Sequence, residues 1–391
     1  MRRPLLALAL AVTAAAMAAA PAQAAKRSVP QGFYGAIWAG DIETAPDDVR
    51  ARAWDRLALA GVESVRVVFN WELAQPHEGG ATQWERTDRV VSAAATRGIS
   101  LMPTVMHTPN WAKQYPGVVQ SPPTDKHFAS YAAFVGELAK RYGPSGTFWS
   151  ANPGLPKRPV RHWQIWNEPE LSDHWWRKGG QDTPWAPKEA RRYGALVRAA
   201  DRALAAADPG GKIVLAGMTN YAWETLARLQ RSADVRGHFD IAAVHMFPGK
   251  WRNVTVIVKR FREALDKGGG RKVPIWVTEM TWPAAEGRAQ TPPWAETDYY
   301  RSFVTTEKGA AARLKGAYGL LAQRSFRTAN RVQRVHWFTS LSSFRGNVIW
   351  DYSGLLRLDG SSIAETPVYA AYRDSARKHE GCVKTAAGRC R

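Results

Sequence analysis

Two glutamates stand at the ends of short runs of branched and aromatic residues far apart in the chain. Glu168 follows Trp163-Gln-Ile-Trp-Asn167, and Glu279 follows Ile275-Trp-Val-Thr278. Two carboxyls presented from different strands can divide one reaction between them. The protonated one donates to a departing oxygen and later takes a proton from water, while the ionised one attacks an electrophilic carbon. Cleavage of a glycosidic bond uses such a pair. The two must titrate differently: partial burial or a nearby negative charge raises the acid, and hydrogen bonds or a cation hold the nucleophile as carboxylate. Arg66, inside the apolar run Glu63 to Trp71, is a permanent cation suited to the second task. Other polar or aromatic residues at run ends are Asn70, Trp71, His107, Asn167, His245 and Trp337. A lone glutamate after a strand is as readily a helix cap or a surface ion pair, so the combination carries the argument.

The elements that must position these residues alternate in kind. Runs of apolar residues at Phe33–Trp38, Glu63–Trp71, Ile99–Met106, His162–Trp166, Lys212–Met218, Phe239–His245, Pro274–Thr278 and Val335–Ser340 read as strands. Helical patterns follow them at Asp47–Ala60, Trp84–Arg97, His127–Tyr142, Pro187–Ala207, Trp223–Ser232, Val254–Asp266, Thr297–Ala329 and Pro367–Arg377. Within Val254–Asp266, the residues Val254, Ile257, Val258, Phe261 and Leu265 share one face, the signature of an amphipathic helix. Repeated strand-then-helix units with nearly continuous apolar strands predict an α/β fold, a (β/α)₈ TIM barrel in a single catalytic domain. The open doubly wound alternative would need a glycine-rich phosphate turn after its first strand, which Gly32-Phe-Tyr-Gly35 does not supply. Gly143–Pro159 reads as a long loop before strand four. In a barrel, groups at the C-terminal strand ends share one face, so the two glutamates should meet across its mouth.

The first 24 residues read as a signal peptide: Arg2 and Arg3, the apolar run Leu5–Ala20, then Ala22-Gln23-Ala24. A secreted chain over residues 25–391 is expected, with no membrane association after cleavage. Its two cysteines, Cys382 and Cys390, would close a small disulfide loop pinning the C-terminal tail. Their spacing is not that of a metal site, and neither metal nor cofactor is expected. The formal charge is +20, and removing Arg2 and Arg3 leaves +18. Such a field attracts anionic cell-wall polymers. The basic residues are scattered rather than blocked, however, which argues against nucleic acid as a partner. With 18 tryptophans the chain can line a cleft with indoles that stack on sugar rings. Of these, Trp175, Trp176 and Trp294 fall in predicted loops and are the better candidates, while many others are core.

Trp163-Gln-Ile-Trp-Asn-Glu-Pro169 resembles the strand-four signature of glycoside hydrolase clan A, and Ile275-Trp-Val-Thr-Glu279 resembles that clan's strand-seven end. The resemblance runs over essentially the whole chain after the leader and is nearest to families 5 and 39. It implies that Glu168 is the acid/base and Glu279 the nucleophile. It further implies that Asn167 contacts the 2-hydroxyl of the attacked sugar and that Arg66 lies beneath the nucleophile. His107, His245 and Trp337 would line the subsite where the bond breaks. One departure stands out. Two residues past the strand-six histidine the clan often carries a tyrosine that bonds the nucleophile, and here His245-Met-Phe247 carries phenylalanine. Tyr299 is a candidate replacement donor.

The expectation is a secreted, cofactor-independent, retaining glycoside hydrolase acting on β-linked polysaccharide or oligosaccharide. A carbohydrate-binding cell-wall protein with the barrel but little turnover, and a transglycosidase using the same glutamates, are the alternatives.

Overall fold

All eight apolar runs form strands in the computed structural model, which describes residues 26–39, 41–177, 185–219, 221–290 and 297–390. The expected leader and Trp294 lie outside the described residues. The barrel strands are β1 (Tyr34–Trp38), β2 (Ser64–Asn70), β3 (Ser100–Met106), β4 (His162–Ile165), β5 (Lys212–Val214), β6 (Ala242–Met246), β7 (Ile275–Met280) and β8 (Val332–Trp337). They pair in parallel in the order β5-β4-β3-β2-β1-β8-β7-β6. Parallel bridges Val214–Ile241 and Met218–Val244 join the two ends and close the barrel.

Each strand is followed by a packing helix: α1 (Asp47–Leu59), α2 (Glu85–Thr96), α3 (Phe128–Tyr142), α4 (Pro187–Ala207), α5 (Ala222–Ser232), α6 (Val254–Lys267), α7 (Glu307–Ala322) and α8 (Pro367–Glu380). In α6 the predicted apolar face is the one buried. Helix α8 carries its signals in sequence. Thr366 accepts from the Tyr369 amide, Pro367 opens the first turn, and Gly381 ends it in the left-handed region at φ 75°. No helix among the described residues is long and apolar enough to cross a membrane.

Two departures have physical causes. The stretch expected as one helix from Thr297 breaks into Thr297–Phe303, α7 and Arg324–Ala329, because the Thr306 hydroxyl caps a new start by accepting from Gly309 N. Strand β8 begins earlier than its apolar run, since Gln333 and Arg334 hide its first half. The Arg334 guanidinium lies over the Trp276 ring, 4.0 Å from its centroid. The Gly143–Pro159 loop contains a short helix, Thr147–Ala151. A small sheet of β9 (Leu341–Ser342), β10 (Leu356–Asp359) and β11 (Ser362–Glu365), not anticipated from sequence, follows β8.

The disulfide Cys382–Cys390 is present, and its loop is tied beneath the N-terminal strand ends. There Glu63 accepts from Arg27 (2.6 Å), Lys384 (3.0 Å) and the Gly32 amide (2.7 Å). Glu380 beside it is 4 % exposed, with neither carboxyl oxygen hydrogen-bonded among the described residues. Burial pushes its carboxyl up to about 8, Glu63 adds to the rise, and Lys384 opposes it. A carboxyl raised in the folded state contributes stability below its unfolded value and loses it as pH rises through about 8. Glu380→Gln is therefore expected to raise the Tm by a few degrees at pH 9 and to change it little at pH 4. Thermal denaturation at the two pH values measures this, and a less stable variant at pH 9 contradicts it.

Candidate active site

Arg66 reaches inward from β2 and holds three strands together. Its Nε donates to Gln164 Oε1 (2.5 Å) on β4, Nη2 donates to Asn167 Oδ1 (2.5 Å), and Nη1 donates to Glu279 Oε1 (2.6 Å) on β7. Gln164 is itself fixed by Thr104 Oγ1 (2.8 Å) from β3 and by its own donation to the Leu215 carbonyl (3.0 Å). Beneath this polar layer Met102, Val214, Ile241, Ala243 and Trp276 form a separate apolar cluster. The guanidinium is thus clamped in a water-poor site, with each of its edges used.

His245 closes the other side. A register shift between Val244 and His245 sets His245 opposite Glu279 on the neighbouring strand, an irregularity of the kind that re-aims side chains beside active sites. Its Nδ1 lies 2.5 Å from Glu168 Oε1, and its Nε2 lies 3.6 Å from Glu279 Oε1. The imidazole bridges the two carboxyls, which themselves come within 4.8 Å of each other through their nearest ligand atoms. Burial pushes His245 down to about 3, so the ring is neutral at ordinary pH. Burial pushes the Glu168 carboxyl up, while His174 and Arg66 oppose the rise and Asp173 adds to it. Glu170 is held by the Thr219 amide (2.7 Å), and burial, reinforced by Glu168, pushes its carboxyl up to about 8.

The backbone near the site is strained. His107, Trp166 and Glu168 have φ of 65°, 67° and 40°, left-handed values that cost non-glycine residues roughly 1–3 kcal/mol each. All three follow the C-terminal ends of β3 and β4, where the site is built. The strain is held by pairing that continues past the strands: Trp166 N donates to Val105 O (3.1 Å) and Glu168 N to Gly217 O (3.2 Å). Gly217 has a second role. A Cβ there would lie 1.9 Å from His245 Nε2, so only glycine leaves room for the bridging ring. Gly217→Ala is expected to displace His245 and to lower kcat by on the order of 10²-fold, the usual consequence of an ångström-scale misplacement. Steady-state kinetics with circular dichroism to verify folding tests this; a folded variant of wild-type kcat contradicts it.

Five of the residues singled out in sequence therefore meet: Arg66, Asn167, Glu168, His245 and Glu279. His107 and Trp337, expected to line the same subsite, stand apart from this cluster. His107 is partly buried at the mouth beside Glu72 and His174, and burial pushes its imidazole down. Trp337 is fully buried and donates Nε1 to the Ser353 carbonyl (2.9 Å), so its ring belongs to the wall and presents no face. The partly exposed aromatic of that strand end is Phe338, edge-on to Trp350. Trp175, expected at a sugar-binding surface, is also fully buried and bonded to Glu189 (2.8 Å). Trp176 keeps some exposure, packed against Tyr115. The Tyr299 hydroxyl donates to the Phe247 carbonyl (2.6 Å) rather than to Glu279. Sequence reasoning missed His174 and Gly217, whose contacts with Glu168 and His245 exist only in the folded barrel.

Glu168, His245 and Glu279 also have the spacing of a metal-ligand set. The Arg66 guanidinium already places a positive charge on Glu279, and it would repel a divalent cation bound there. Two large grooves, about 1230 Å³ between α5 and α6 and about 800 Å³ along α1 and α2, do not include either glutamate. Chemistry rather than cavity size locates the site.

No family model matches the sequence, and no curated protein matches it. Solved structures do resemble it. A family 39 glycoside hydrolase from Bacteroides cellulosilyticus aligns at TM-score 0.60 and 16% identity, over 90% of this chain and 64% of that one. A monomeric beta-xylosidase from Caulobacter crescentus aligns at TM-score 0.61 and 18% identity, over 89% of this chain and 68% of that one. A family 5 glycoside hydrolase from Streptomyces cattleya aligns at TM-score 0.59 and 17% identity, over 90% and 81%. This chain shares its (β/α)₈ barrel fold with these glycoside hydrolases, and it spans somewhat under two thirds of the first of them.

Proposed function

We propose that the protein is a retaining glycosidase that cleaves β-linked sugars by double displacement, with Glu279 as nucleophile and Glu168 as acid/base. The observation that carries this reading is the approach of the two carboxyls to within 4.8 Å across the barrel mouth. Retaining enzymes hold their carboxyls ~5–5.5 Å apart, whereas inverting ones need ~6.5–9.5 Å to admit a water molecule between acid and base. The electrostatics divide the roles. Burial favours the protonated form of Glu168, and Arg66 sets a permanent positive charge against Glu279. Asn167, its amide oxygen taken by Arg66, keeps its NH₂ group for a sugar hydroxyl.

In the first step Glu168 gives its proton to the leaving oxygen as Glu279 bonds to the anomeric carbon. In the second, Glu168 takes a proton from the attacking water and the bond to Glu279 breaks. The neighbours' names, a beta-xylosidase among them, favour a β-linked sugar as substrate. The leader-like first residues support export, and the charge of +20 supports attraction to anionic wall polymers.

Sugar release from β-glucans, mannans, xylans and acidic glycans tests the reading, with wild type beside Glu168→Gln and Glu279→Gln. Release from one polymer, lost in both variants, is the expected result. Release that survives in Glu279→Gln overturns the nucleophile assignment, and binding without release in all three proteins favours a carbohydrate-binding protein.

A further inference from the structure

Glu168 lies between two histidines, His245 and His174. His245 holds one carboxyl oxygen. On the other side His174 Nδ1 stands 3.4 Å from Glu168 Oε2. That nitrogen is buried and has no hydrogen-bond partner among the described residues. The two rings differ in their access to water. His245 has none, whereas the His174 side chain is 29 % exposed.

The local backbone puts His174 there. Leu171 N donates to Glu168 O (3.0 Å), and His174 N donates to Leu171 O (3.1 Å). These successive turns bring a side chain six positions after Glu168 back onto its carboxyl. Trp166 Nε1 donates to the His174 carbonyl (2.6 Å) and fixes the return. A side chain held this way, its buried nitrogen facing an acidic group, differs from a freely rotating surface histidine.

The geometry points to His174 as a positioning residue for Glu168, an inference that rests on the glycosidase reading. In neutral form it accepts the hydrogen bond of the protonated carboxyl; in protonated form it holds the carboxylate. A retaining acid/base must exist in both forms within one turnover. In the first half-reaction the Glu168 proton moves to the glycosidic oxygen, which keeps the electron pair of the broken C–O bond as Glu279 bonds to the anomeric carbon. In the second half-reaction a water proton returns to Glu168 as the water oxygen bonds to the anomeric carbon and the bond to Glu279 breaks, its electron pair returning to the carboxylate. His174 exchanges no atom with the sugar. A fixed cation in its place would favour only the carboxylate, and an apolar wall only the acid. The other groups facing Glu168 are His245 from β6, Arg66 from β2, Glu279 from β7 and, on its own loop, Asp173 and Glu170. Those facing His174 among the described residues are Asp173 at 4.0 Å, His107 after β3 and His245 from β6.

The test compares phenyl and 2,4-dinitrophenyl β-glycosides of one sugar in wild type, His174→Phe and His174→Asn. Phenol leaves only with acid assistance, and dinitrophenolate leaves without it. The phenyl-to-dinitrophenyl ratio of kcat/KM is expected to fall roughly 10- to 100-fold in His174→Phe, part of the usual worth of general acid catalysis, and less in His174→Asn. An unchanged ratio, including equal losses on both substrates, overturns the inference. A substrate-independent measurement follows the Glu168 carboxyl by ¹³C NMR, with the signal assigned using Glu168→Gln. Its titration midpoint is expected to move up by about one pH unit in His174→Asn, and an unmoved midpoint overturns the inference. The two ideas fail separately. Turnover that survives Glu168→Gln and Glu279→Gln sinks the glycosidase reading, whereas loss in those variants with no effect at His174 sinks only this one.

Discussion

Glu279→Gly is expected to lower turnover by on the order of 10⁴- to 10⁶-fold, the scale on which removal of a covalent nucleophile is felt. Each tenfold loss corresponds to about 1.4 kcal/mol of transition-state stabilisation, so the expected deficit is about 5–8 kcal/mol. The carboxylate is fixed by Arg66 at 2.6 Å, faces Glu168 across a gap of at most 4.8 Å, and lies on a strand end 8 % exposed. No other carboxylate among the described residues is held by the Arg66 side chain. Glycine leaves a small space where the carboxylate was, and azide is an anion of a size to enter it. Added azide should therefore restore part of the turnover on a 2,4-dinitrophenyl β-glycoside and give an α-glycosyl azide, because one displacement replaces two. Glu168→Gly should behave in the opposite sense. It still forms the covalent intermediate with the activated substrate, and azide then yields the β-azide. Product analysis by NMR separates the two variants. The same azide anomer from both would contradict the division of roles.

Arg66→Met carries the second large effect, and it acts on stability as well as on rate. The side chain is 5 % exposed and makes charged hydrogen bonds to Gln164, Asn167 and Glu279 at 2.5–2.6 Å. Removing the cation leaves a buried carboxylate without its partner, a change that typically costs about 3–5 kcal/mol. It also frees Asn167 and Gln164, which Arg66 orients. Denaturant unfolding should show that loss, and kcat should fall together with it. A double-mutant cycle isolates the pair. In a Glu279→Gln background Arg66→Met is expected to cost markedly less stability, because the uncompensated charge is gone. Equal costs in the two backgrounds would show that Arg66 acts through packing alone. Arg66→Lys is expected to rescue only part of the loss, since an ammonium presents no planar fork to three acceptors.

Much of this was legible in the sequence because barrel physics writes itself into local pattern. Strands buried on both faces read as continuous apolar runs, and the helices between them read by their spacing, as Val254 to Leu265 does. Arg66, Asn167, Glu168, His245 and Glu279 could be named because each stands in or directly after such a run. What was missed has a common cause. Trp337 and Trp175 look like sugar platforms by position, but whether an indole shows a face or fills a wall depends on packing from distant segments. Arg334 reads as polar, yet it covers Trp276 and belongs to a strand. Gly217 is one glycine among 32 until a ring from β6 is found in the space its missing side chain leaves. His174 is a loop histidine until two turns bring it back to Glu168. Local pattern fixes which elements form; close approaches between elements need the folded chain.

Whether the two glutamates work as a retaining pair is read from the anomeric configuration of the first-formed product. ¹H NMR of the reaction with a β-glycoside that the wild type cleaves would be recorded before mutarotation sets in. The β-anomer of the released sugar is expected to appear first, with the α-anomer growing in later. An α-anomer formed first would mean inversion by a single displacement, and it would contradict the assignment of Glu279 as a nucleophile.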